Sequence, residues 1–360
     1  MPRLLHVQKT DGKPGQVYYP IKIKEVPMPK VGPSQVLVRM EAAALNHRDL
    51  FIRRRLYPAI SFDTPLLADG YGTVAKVGSA VKRKALLHAP VLLSPTLAWA
   101  SDPTGPETGA VVIPGASAAT AAGCAQDYAL VHEDDVVPAP PHLGPAEAAA
   151  LPLAGLTAWR ALVTKSANAQ AGRNILITGV GGGVALQALQ FAVALGCNVY
   201  VTSGDQAKID RARQMGARDG VVYKLDGWER RLKDLLPPHR PFVDAVIDGA
   251  GGDIVSRSCK LLKPGGVISQ YGMTAGPRME WPMQAVLMNI ELRGSTLGSM
   301  KEFRDMVAFV NYRKIRPVVS KTVKGLGNLD EIDELFRVMD AGAQFGKLVI
   351  EINDHSKSKL

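Results

Sequence analysis

Cysteine and long apolar runs are both scarce in this chain. Its 360 residues include only three cysteines, Cys124, Cys197 and Cys259. They lie far apart in sequence, which offers no disulfide framework and is typical of a reducing compartment. No stretch approaches the roughly 18 uninterrupted apolar residues of a membrane helix, so we expect no membrane partner.

Acidic residues are outnumbered by basic ones. The 43 Lys and Arg residues against 33 Asp and Glu residues give a formal charge of +10, with short basic clusters at residues 53–55 and 82–84. There is no basic tail and no recognisable nucleic-acid module, so we interpret the clusters as solvated faces and expect no nucleic acid partner. Because 46% of the residues are hydrophobic, the chain can bury large cores and is expected to form two domains.

A glycine turn lies between a buried strand at residues 175–178 and an apolar helix. Gly179 permits a sharp turn, Gly182 lets a phosphate approach the backbone, and the small Ala185 allows close helix packing. Free amides at the start of the helix then face the anion. The pattern predicts a dinucleotide pyrophosphate site, although such turns also connect ordinary strands to helices. The residues expected to bind the pyrophosphate are Gly179, Gly182, Gly183 and Val184.

Apolar strands alternate with helical stretches from this turn to residue 272. The later strands are expected at residues 198–202, 220–223, 245–248 and 265–272. This alternation predicts an α/β domain with a doubly wound parallel sheet. Ligands of such sheets lie at the carboxyl ends of the strands. Those ends carry Gly182, Ser203, Gly249 and Gly272.

The end of the second strand favours NADPH over NADH. An Asp or Glu that binds the ribose hydroxyls of NAD normally lies roughly 20 residues beyond the glycines, and Ser203 occupies that place here. A carboxylate would repel a 2′-phosphate, whereas Ser203, Lys208 and Tyr223 offer hydrogen bonds or positive charge. The alternative is that Asp205 caps its helix and Lys208 is a solvated surface residue.

Four further segments carry a family resemblance, at residues 44–50, 68–78, 148–159 and 345–350. On these segments the chain resembles the medium-chain dehydrogenase/reductase superfamily, and is similar to its fungal zinc-type alcohol dehydrogenase-like members and quinone oxidoreductases. The resemblance implies a GroES-like twisted β-barrel catalytic domain at residues 1–152, a Rossmann NADP(H)-binding domain at 153–296, and a return to the catalytic domain with a C-terminal tail at 297–360. The chain departs from its relatives at residues 87–91, so we expect a different local turn there.

The resemblance also identifies the positions at which zinc-using relatives hold their catalytic metal. Here they are Asn46, Ala68 and Ala154, and an alanine side chain has no atom that can bind zinc. The four closely spaced cysteines of a structural zinc lobe are missing as well. We interpret the neighbouring His47 and Asp49 as hydrogen-bonding groups. We therefore expect no metal in either site.

Without a Lewis acid, reduction of a conjugated C=C bond is more feasible than oxidation of a simple alcohol. The expected substrates are small α,β-unsaturated carbonyl compounds. By similarity to metal-free enoyl reductases, Tyr57 is the candidate proton donor, with pocket lining as its alternative, and Asn46 could orient the carbonyl. Quinone or carbonyl reduction is the second enzymatic hypothesis. A sensor that binds NADPH without turnover is the third.

The resemblance extends the predicted site beyond the glycine turn. The additional cofactor-binding candidates are Thr157 near the nicotinamide, Gly249, Gly272, and Lys347 near the ribose or phosphates. The candidates for the substrate pocket are His47, Tyr71, Met273 and Trp281, although core packing is an alternative for the last three. Arg48 could meet an anionic substrate, but we expect it to be exposed to solvent.

Two expectations concern assembly and location. Relatives commonly pair through edge strands of the cofactor domain, and residues 290–294 could form such an edge, so we expect a homodimer. The tripeptide Ser358, Lys359 and Leu360 matches a peroxisomal address that an import receptor reads. We therefore expect a peroxisomal location, with the cytoplasm as the alternative.

Overall fold

The computed structural model describes residues 1–352, which form two compact units. The first unit is Met1–Ala154 together with the chain from Ser299 onward, and the second is Gly155–Gly298. The boundaries expected after residues 152 and 296 each lie two residues before these divisions. The C-terminal tripeptide is outside the described residues. Among those described, no helix combines the length and the apolar character needed to cross a membrane.

The described part of the first unit contains more strands than α-helices, and most of these strands are short. The elements up to residue 159 are β1 (Arg3–Val7), β2 (Ile21–Glu25), β3 (Gln35–Ala44), α1 (His47–Arg53), β4 (Asp69–Val77), β5 (Pro90–Leu93), β6 (Tyr128–His132), β7 (Val136–Pro138), α2 (Pro145–Ala149) and α3 (Pro152–Trp159). β1 and β2 pair antiparallel, and β3 pairs antiparallel with both β4 and β6. β3 is almost wholly buried because apolar side chains cover both of its faces.

After the end of α3 and a π-helical stretch at Arg160–Lys165, the second unit contains six strands and five α-helices. They are β8 (Asn174–Ile177), α4 (Gly183–Ala194), β9 (Asn198–Ser203), α5 (Gln206–Gln214), β10 (Asp219–Val222), α6 (Trp228–Leu235), β11 (Val243–Asp248), α7 (Ile254–Ser258), β12 (Leu262–Gln270), α8 (Met283–Leu287) and β13 (Glu291–Gly294). The strands lie in the order β10-β9-β8-β11-β12-β13, and every pair is parallel. The predicted doubly wound sheet is confirmed, and its strand order reverses between β8 and β11.

Some element limits differ from those predicted. The strand expected at residues 265–272 begins earlier and ends earlier, at Leu262–Gln270. Beyond Gln270 the backbone turns away to pair with the loop after β11, since the N–H of Thr274 donates to Gly249 O. The helix before it, α7, ends at Ser258.

The chain then returns to the first unit as α9 (Met300–Arg313), β14 (Val319–Lys324), α10 (Leu329–Asp340) and β15 (Lys347–Glu351). β15 pairs antiparallel with β3 and parallel with β14. It completes a seven-stranded sheet in the order β14-β15-β3-β4-β5-β7, with β6 paired to β3. This pairing brings Lys347 beside the end of β3, although some 300 residues separate them in sequence.

The segment between β5 and β6 has little regular structure and is organised around Glu107. Its carboxylate accepts hydrogen bonds from the backbone N–H groups of Ala100, Ser101 and Asp102, at 2.8 to 3.0 Å. These bonds lower the pKa of Glu107 to about 2, because they favour its charged form. At the divergent residues 87–91, His88 has a positive φ of 65° and donates its N–H to Val74 O.

Candidate functional site

The glycine turn after β8 leaves open space at the amino end of α4. Gly179 has a φ of +64°, a conformation that favours glycine. A Cβ atom added at Gly179 or Gly182 would have no other atom within 4 Å. α4 has 12 residues, and its first backbone N–H groups, which include those of Gly183 and Val184, have no acceptor inside the helix. This turn fits a pyrophosphate.

A second cluster lies at the ends of β9 and β10. Ser203 is buried, and Gly204 follows it. A Cβ at Gly204 would lie 3.0 Å from the hydroxyl of Tyr223 and 3.2 Å from Nζ of Lys224. Partial burial lowers the pKa of Lys208, and the charge of Lys224 acts in the same direction while Asp205 opposes it. The structure thus brings together the predicted Ser203, Lys208 and Tyr223, and adds Lys224.

Asp205 also performs the structural role that the sequence left open. Its Oδ1 accepts the N–H of Ala207 at 2.9 Å, which caps α5. Asp205 is exposed, and its charge also acts on Lys208 in the cluster at the ends of β9 and β10.

A third cluster joins the carboxyl ends of β8, β11 and β12 through the buried carboxylate of Asp248. It accepts hydrogen bonds from the hydroxyl of Thr178, from Nε2 of Gln270 at 2.6 Å and from the N–H of Gly251 at 2.7 Å. Burial raises the pKa of Asp248, although these bonds oppose the shift. Asp248 therefore holds the loop that begins at Gly249.

An aromatic ring covers that loop. Tyr271 packs so closely on Gly249 that an added Cβ would overlap its ring. Met273 lies beside Gly251, where an added Cβ would be 3.3 Å from the methionine side chain. Gly272 lies between Tyr271 and Met273 in the sequence. The predicted Gly249, Gly272 and Met273 are thus neighbours, and Tyr271 joins them.

In the first unit, Asn46 lies at the start of α1 with its side chain in a polar cluster. Its Nδ2 donates to Oδ2 of Asp69 at 2.9 Å, and its Oδ1 accepts from Nζ of Lys347 at 2.6 Å. Lys347 also donates to Oδ2 of Asp69 and to Leu45 O, both at 2.7 Å. The other carboxylate oxygen of Asp69 accepts the N–H of Leu153 at 2.6 Å. We call Asn46, Asp69 and Lys347 the buried triad.

The place of Lys347 differs from the one expected near the cofactor ribose or phosphates. Its side chain is only 5% exposed, and its three ammonium hydrogens match three acceptors in the first unit: Leu45, Asn46 and Asp69. A phosphate contact would have to replace one of these bonds. Burial beside a carboxylate explains the arrangement, since an unpaired charge there would be costly.

Arg48 is buried rather than exposed as expected. Its guanidinium donates to the backbone carbonyls of Pro114 and Gly115, at 3.0 and 2.9 Å, and contacts Asp49 at 3.2 Å. It also lies over the half-buried ring of Tyr57, 4.9 Å from the centroid. Arg48 therefore fixes the loop and the ring of Tyr57 and is engaged within the protein.

The remaining pocket candidates are spread over both units. His47 is exposed at the start of α1. Tyr71 packs against a cluster of small residues that includes Ala42 and Ala149, so the core alternative describes its observed contacts. Trp281 is 44% exposed in the second unit. The cofactor-binding candidate Thr157 is a buried residue inside α3.

Known proteins resemble this chain over nearly its full length. It is 53% identical over 358 residues to the zinc-type alcohol dehydrogenase-like protein YogA of Leptosphaeria maculans, covering 98% of this chain and 100% of that protein. The family models for the alcohol dehydrogenase GroES-like domain and the zinc-binding dehydrogenase match residues 32–141 and 183–311. The chain belongs to the medium-chain dehydrogenase/reductase superfamily.

Two other proteins that are similar to this chain are named for different reactions. An acryloyl-coenzyme A reductase of Sulfurisphaera tokodaii is 27% identical over 341 residues, covering 92% of this chain and 96% of that protein. The crystal structure of an NAD-dependent alcohol dehydrogenase is 29% identical with a TM-score of 0.83, covering 98% and 100% of the two chains. The GroES-like domain and the Rossmann-like parallel sheet predicted from the sequence are confirmed, as is an oxidoreductase fold that binds a nicotinamide cofactor.

The catalytic zinc of the superfamily does not fit this site. Within residues 1–352, no group of three or more His, Cys, Asp or Glu side chains is placed to hold a metal. Ala68 and Ala154 have no donor atoms, and Lys347 already balances the charge of Asp69. The nicotinamide cofactor does fit, because the open space at Gly182 and the start of α4 suit its pyrophosphate.

Reasoning from the sequence did not identify three residues of these clusters, Asp69, Lys224 and Tyr271. Lys224 follows Tyr223 directly, so its charge beside a predicted strand end was an available signal. Tyr271 likewise precedes Gly272 at a strand end. Asp69 had no such signal, because its partners Asn46 and Lys347 are distant in sequence.

Proposed function

We propose that this superfamily member is an NADPH-dependent, metal-free reductase of the C=C bond of α,β-unsaturated carbonyl compounds. The observation that carries the proposal is the buried triad, in which the amide of Asn46 occupies one zinc-ligand position of the relatives and contacts the ammonium of Lys347. An alkoxide would have no Lewis acid there, whereas an enolate can be stabilised by hydrogen-bond donors. The similarity to an acryloyl-coenzyme A reductase supports this substrate class.

The cofactor site is best suited to NADPH. The backbone N–H groups at Gly182, Gly183 and Val184 would bind the pyrophosphate. Ser203, Lys208, Tyr223 and Lys224 would surround the 2′-phosphate, which a carboxylate at the position of Ser203 would repel. When bound, this cofactor supplies the hydride that reduces the β-carbon of the substrate.

Two side chains of the first unit would stabilise the negative charge that develops on the substrate and then supply a proton. As the β-carbon is reduced, its carbonyl oxygen becomes an enolate oxygen, and the amide N–H of Asn46 would donate to it. The hydroxyl of Tyr57, held under the guanidinium of Arg48, would then transfer a proton to the α-carbon. The hydride and this proton together saturate the C=C bond.

The test is NADPH oxidation by protein treated with a chelator and then dialysed. Substrates would be enones, 2-enoyl-CoA esters, quinones and saturated aldehydes, with product analysis to find the bond reduced. We expect saturated carbonyl products from enones or enoyl esters, with less than about 0.1 zinc per chain because zinc requires about three protein ligands. Activity on quinones alone would favour the second enzymatic hypothesis. Tight NADPH binding with no turnover would favour the sensor.

We also propose a homodimer formed through the second unit. β13 is the edge strand of the parallel sheet, so one side of it has no partner strand within the described chain. Exposed apolar side chains lie on β13 and on or beside α8, with exposed fractions between 39% and 73%. They are Trp281, Met283, Val286, Leu287 and Leu292. Exposed apolar side chains on the edge strand and around α8 support this proposal, in which Trp281 belongs to the dimer surface.

A further inference from the structure

The buried triad determines which way the amide of Asn46 faces. The ammonium of Lys347 lies 2.6 Å from Oδ1, and the carboxylate of Asp69 lies 2.9 Å from Nδ2. The reversed amide would place its N–H₂ group against the ammonium and its oxygen against the carboxylate. Both contacts would then be repulsive, so the network assigns a single orientation.

In that orientation one donor of Asn46 is left over. The Nδ2 group has two hydrogens, and one donates to Asp69. The second has no acceptor within residues 1–352.

We infer that Lys347 and Asp69 are positioning residues that hold Asn46 so that its free amide N–H donates to the substrate carbonyl. This inference rests on the proposed function. It assigns to Lys347 a role in the first unit in place of the expected contact to cofactor phosphates. The two roles predict effects on different quantities. Loss of a phosphate ligand weakens NADPH binding, whereas loss of a positioning residue lowers kcat.

The test measures kcat, the KM of an enone substrate and the Kd of NADPH for Lys347→Met, with Lys208→Met as the matched control. For Lys347→Met we expect kcat to fall by about tenfold or more while the Kd of NADPH changes less than about twofold, because the loss is confined to the charged reaction intermediate. Lys208→Met should instead raise the Kd of NADPH. Lys347→Arg, which keeps the positive charge, should recover part of the lost kcat.

A double-mutant cycle separates positioning from a direct contact. Asn46→Ala should lower kcat by about 100-fold, in the range found when one donor to an oxyanion is removed. If Lys347 acts through Asn46, adding Lys347→Met to Asn46→Ala should change kcat little further. If Lys347→Met fails to fold because Asp69 is left unpaired, Asp69→Asn with Lys347→Met removes both charges and provides the same cycle.

Each outcome is decisive. An equal rise in the Kd of NADPH for Lys347→Met and Lys208→Met would overturn the inference, as would a full additional loss in the Asn46→Ala background. Unchanged kcat in Lys347→Met, with active wild-type enzyme, would overturn the positioning role alone. A wild-type enzyme that turns over no enone or enoyl ester would overturn the proposed function and this inference with it.

Discussion

At the scale of single residues, the most informative feature is how few polar groups near the proposed catalytic position remain unengaged. Asn46, Asp69 and Lys347 satisfy one another, and Arg48 is used by two backbone carbonyls and Asp49. In the proposed mechanism, the groups that meet the substrate are one amide N–H of Asn46 and the hydroxyl of Tyr57. This small set makes the mechanism sensitive to single substitutions.

Tyr57→Phe tests proton donation. The substitution removes only the hydroxyl and keeps the ring beneath Arg48, so the fold and the KM should change little. We expect kcat for enone reduction to fall by about 100-fold, in the range of general acid catalysis. Tyr312→Phe on the exposed face of α9 is the control and should match the wild type. A wild-type rate in Tyr57→Phe would rule out its role as proton donor.

Lys224→Met tests the residue that the structure added to the cofactor site. If its ammonium contacts the 2′-phosphate, the KM of NADPH should rise by about tenfold, which corresponds to a charge-assisted hydrogen bond of roughly 1.5 kcal/mol. The KM of NADH should not change, because NADH has no 2′-phosphate. Lys233→Met, at an exposed position on α6, is the matched control. Equal effects on both cofactors would argue against the assigned contact.

At the scale of elements, carboxylates differ in what they do for the loops that carry them. Asp248 fastens the loop after β11 to Thr178 and Gln270, and Glu107 organises the segment after β5. Asp135, in the short helical turn Glu133–Asp135, is partly buried, and burial raises its pKa to about 6. An ionised carboxylate there is a cost to folding.

Asp135→Asn should therefore change how stability depends on pH. A carboxyl group whose pKa is raised on folding favours the folded state below about pH 4, and this contribution is lost as pH rises to about 6. A shift from 3.8 to about 6 corresponds to at most about 3 kcal/mol, reduced by residual solvent screening. We expect equal free energies of unfolding for wild type and variant near pH 4, and a more stable variant above pH 6.

Urea unfolding at pH 4, 5, 6 and 7 would measure this difference. Asp134→Asn is the neighbouring control, since the side chain of Asp134 is 68% exposed. It should show no comparable gain between pH 4 and pH 6. A constant difference between Asp135→Asn and wild type across this range would contradict the prediction.

At the scale of the whole molecule, the proposed homodimer depends on one edge of the parallel sheet. The edge of the parallel sheet and the apolar surface around α8 belong to the same unit. Pairing of two β13 edges would satisfy the unpaired backbone groups and bury those side chains together.

Leu287→Asp should weaken this dimer, because it introduces a charge into an interface that excludes water. By sedimentation velocity, the wild type should have twice the 38.5 kDa chain mass, and the variant should shift towards one chain mass. Tyr312→Asp, an exposed site in the first unit, should remain dimeric. A monomeric wild type would contradict the proposal directly.

Local patterns were sufficient for the second unit. The alternation of apolar strands with helices predicted its parallel sheet, and the glycine turn predicted the open space at α4, because both depend on residues close together in sequence. Strand ends were less certain. β12 stops at Gln270 because the following residues pair with the loop after β11. This contact joins segments that are distant in sequence, so a local pattern cannot predict it.

The sequence by itself determined the α/β class, the superfamily and the absence of donor atoms at Ala68 and Ala154, because these are properties of residue type and order. Only the tertiary structure decided which side chains lie beside those positions. Lys347 and Asp69 are separated by 278 residues, and the pairing of β15 with β3 is what brings them to Asn46. A buried charge must find its partner wherever the folded chain supplies one, so the partner cannot be read from neighbours in sequence.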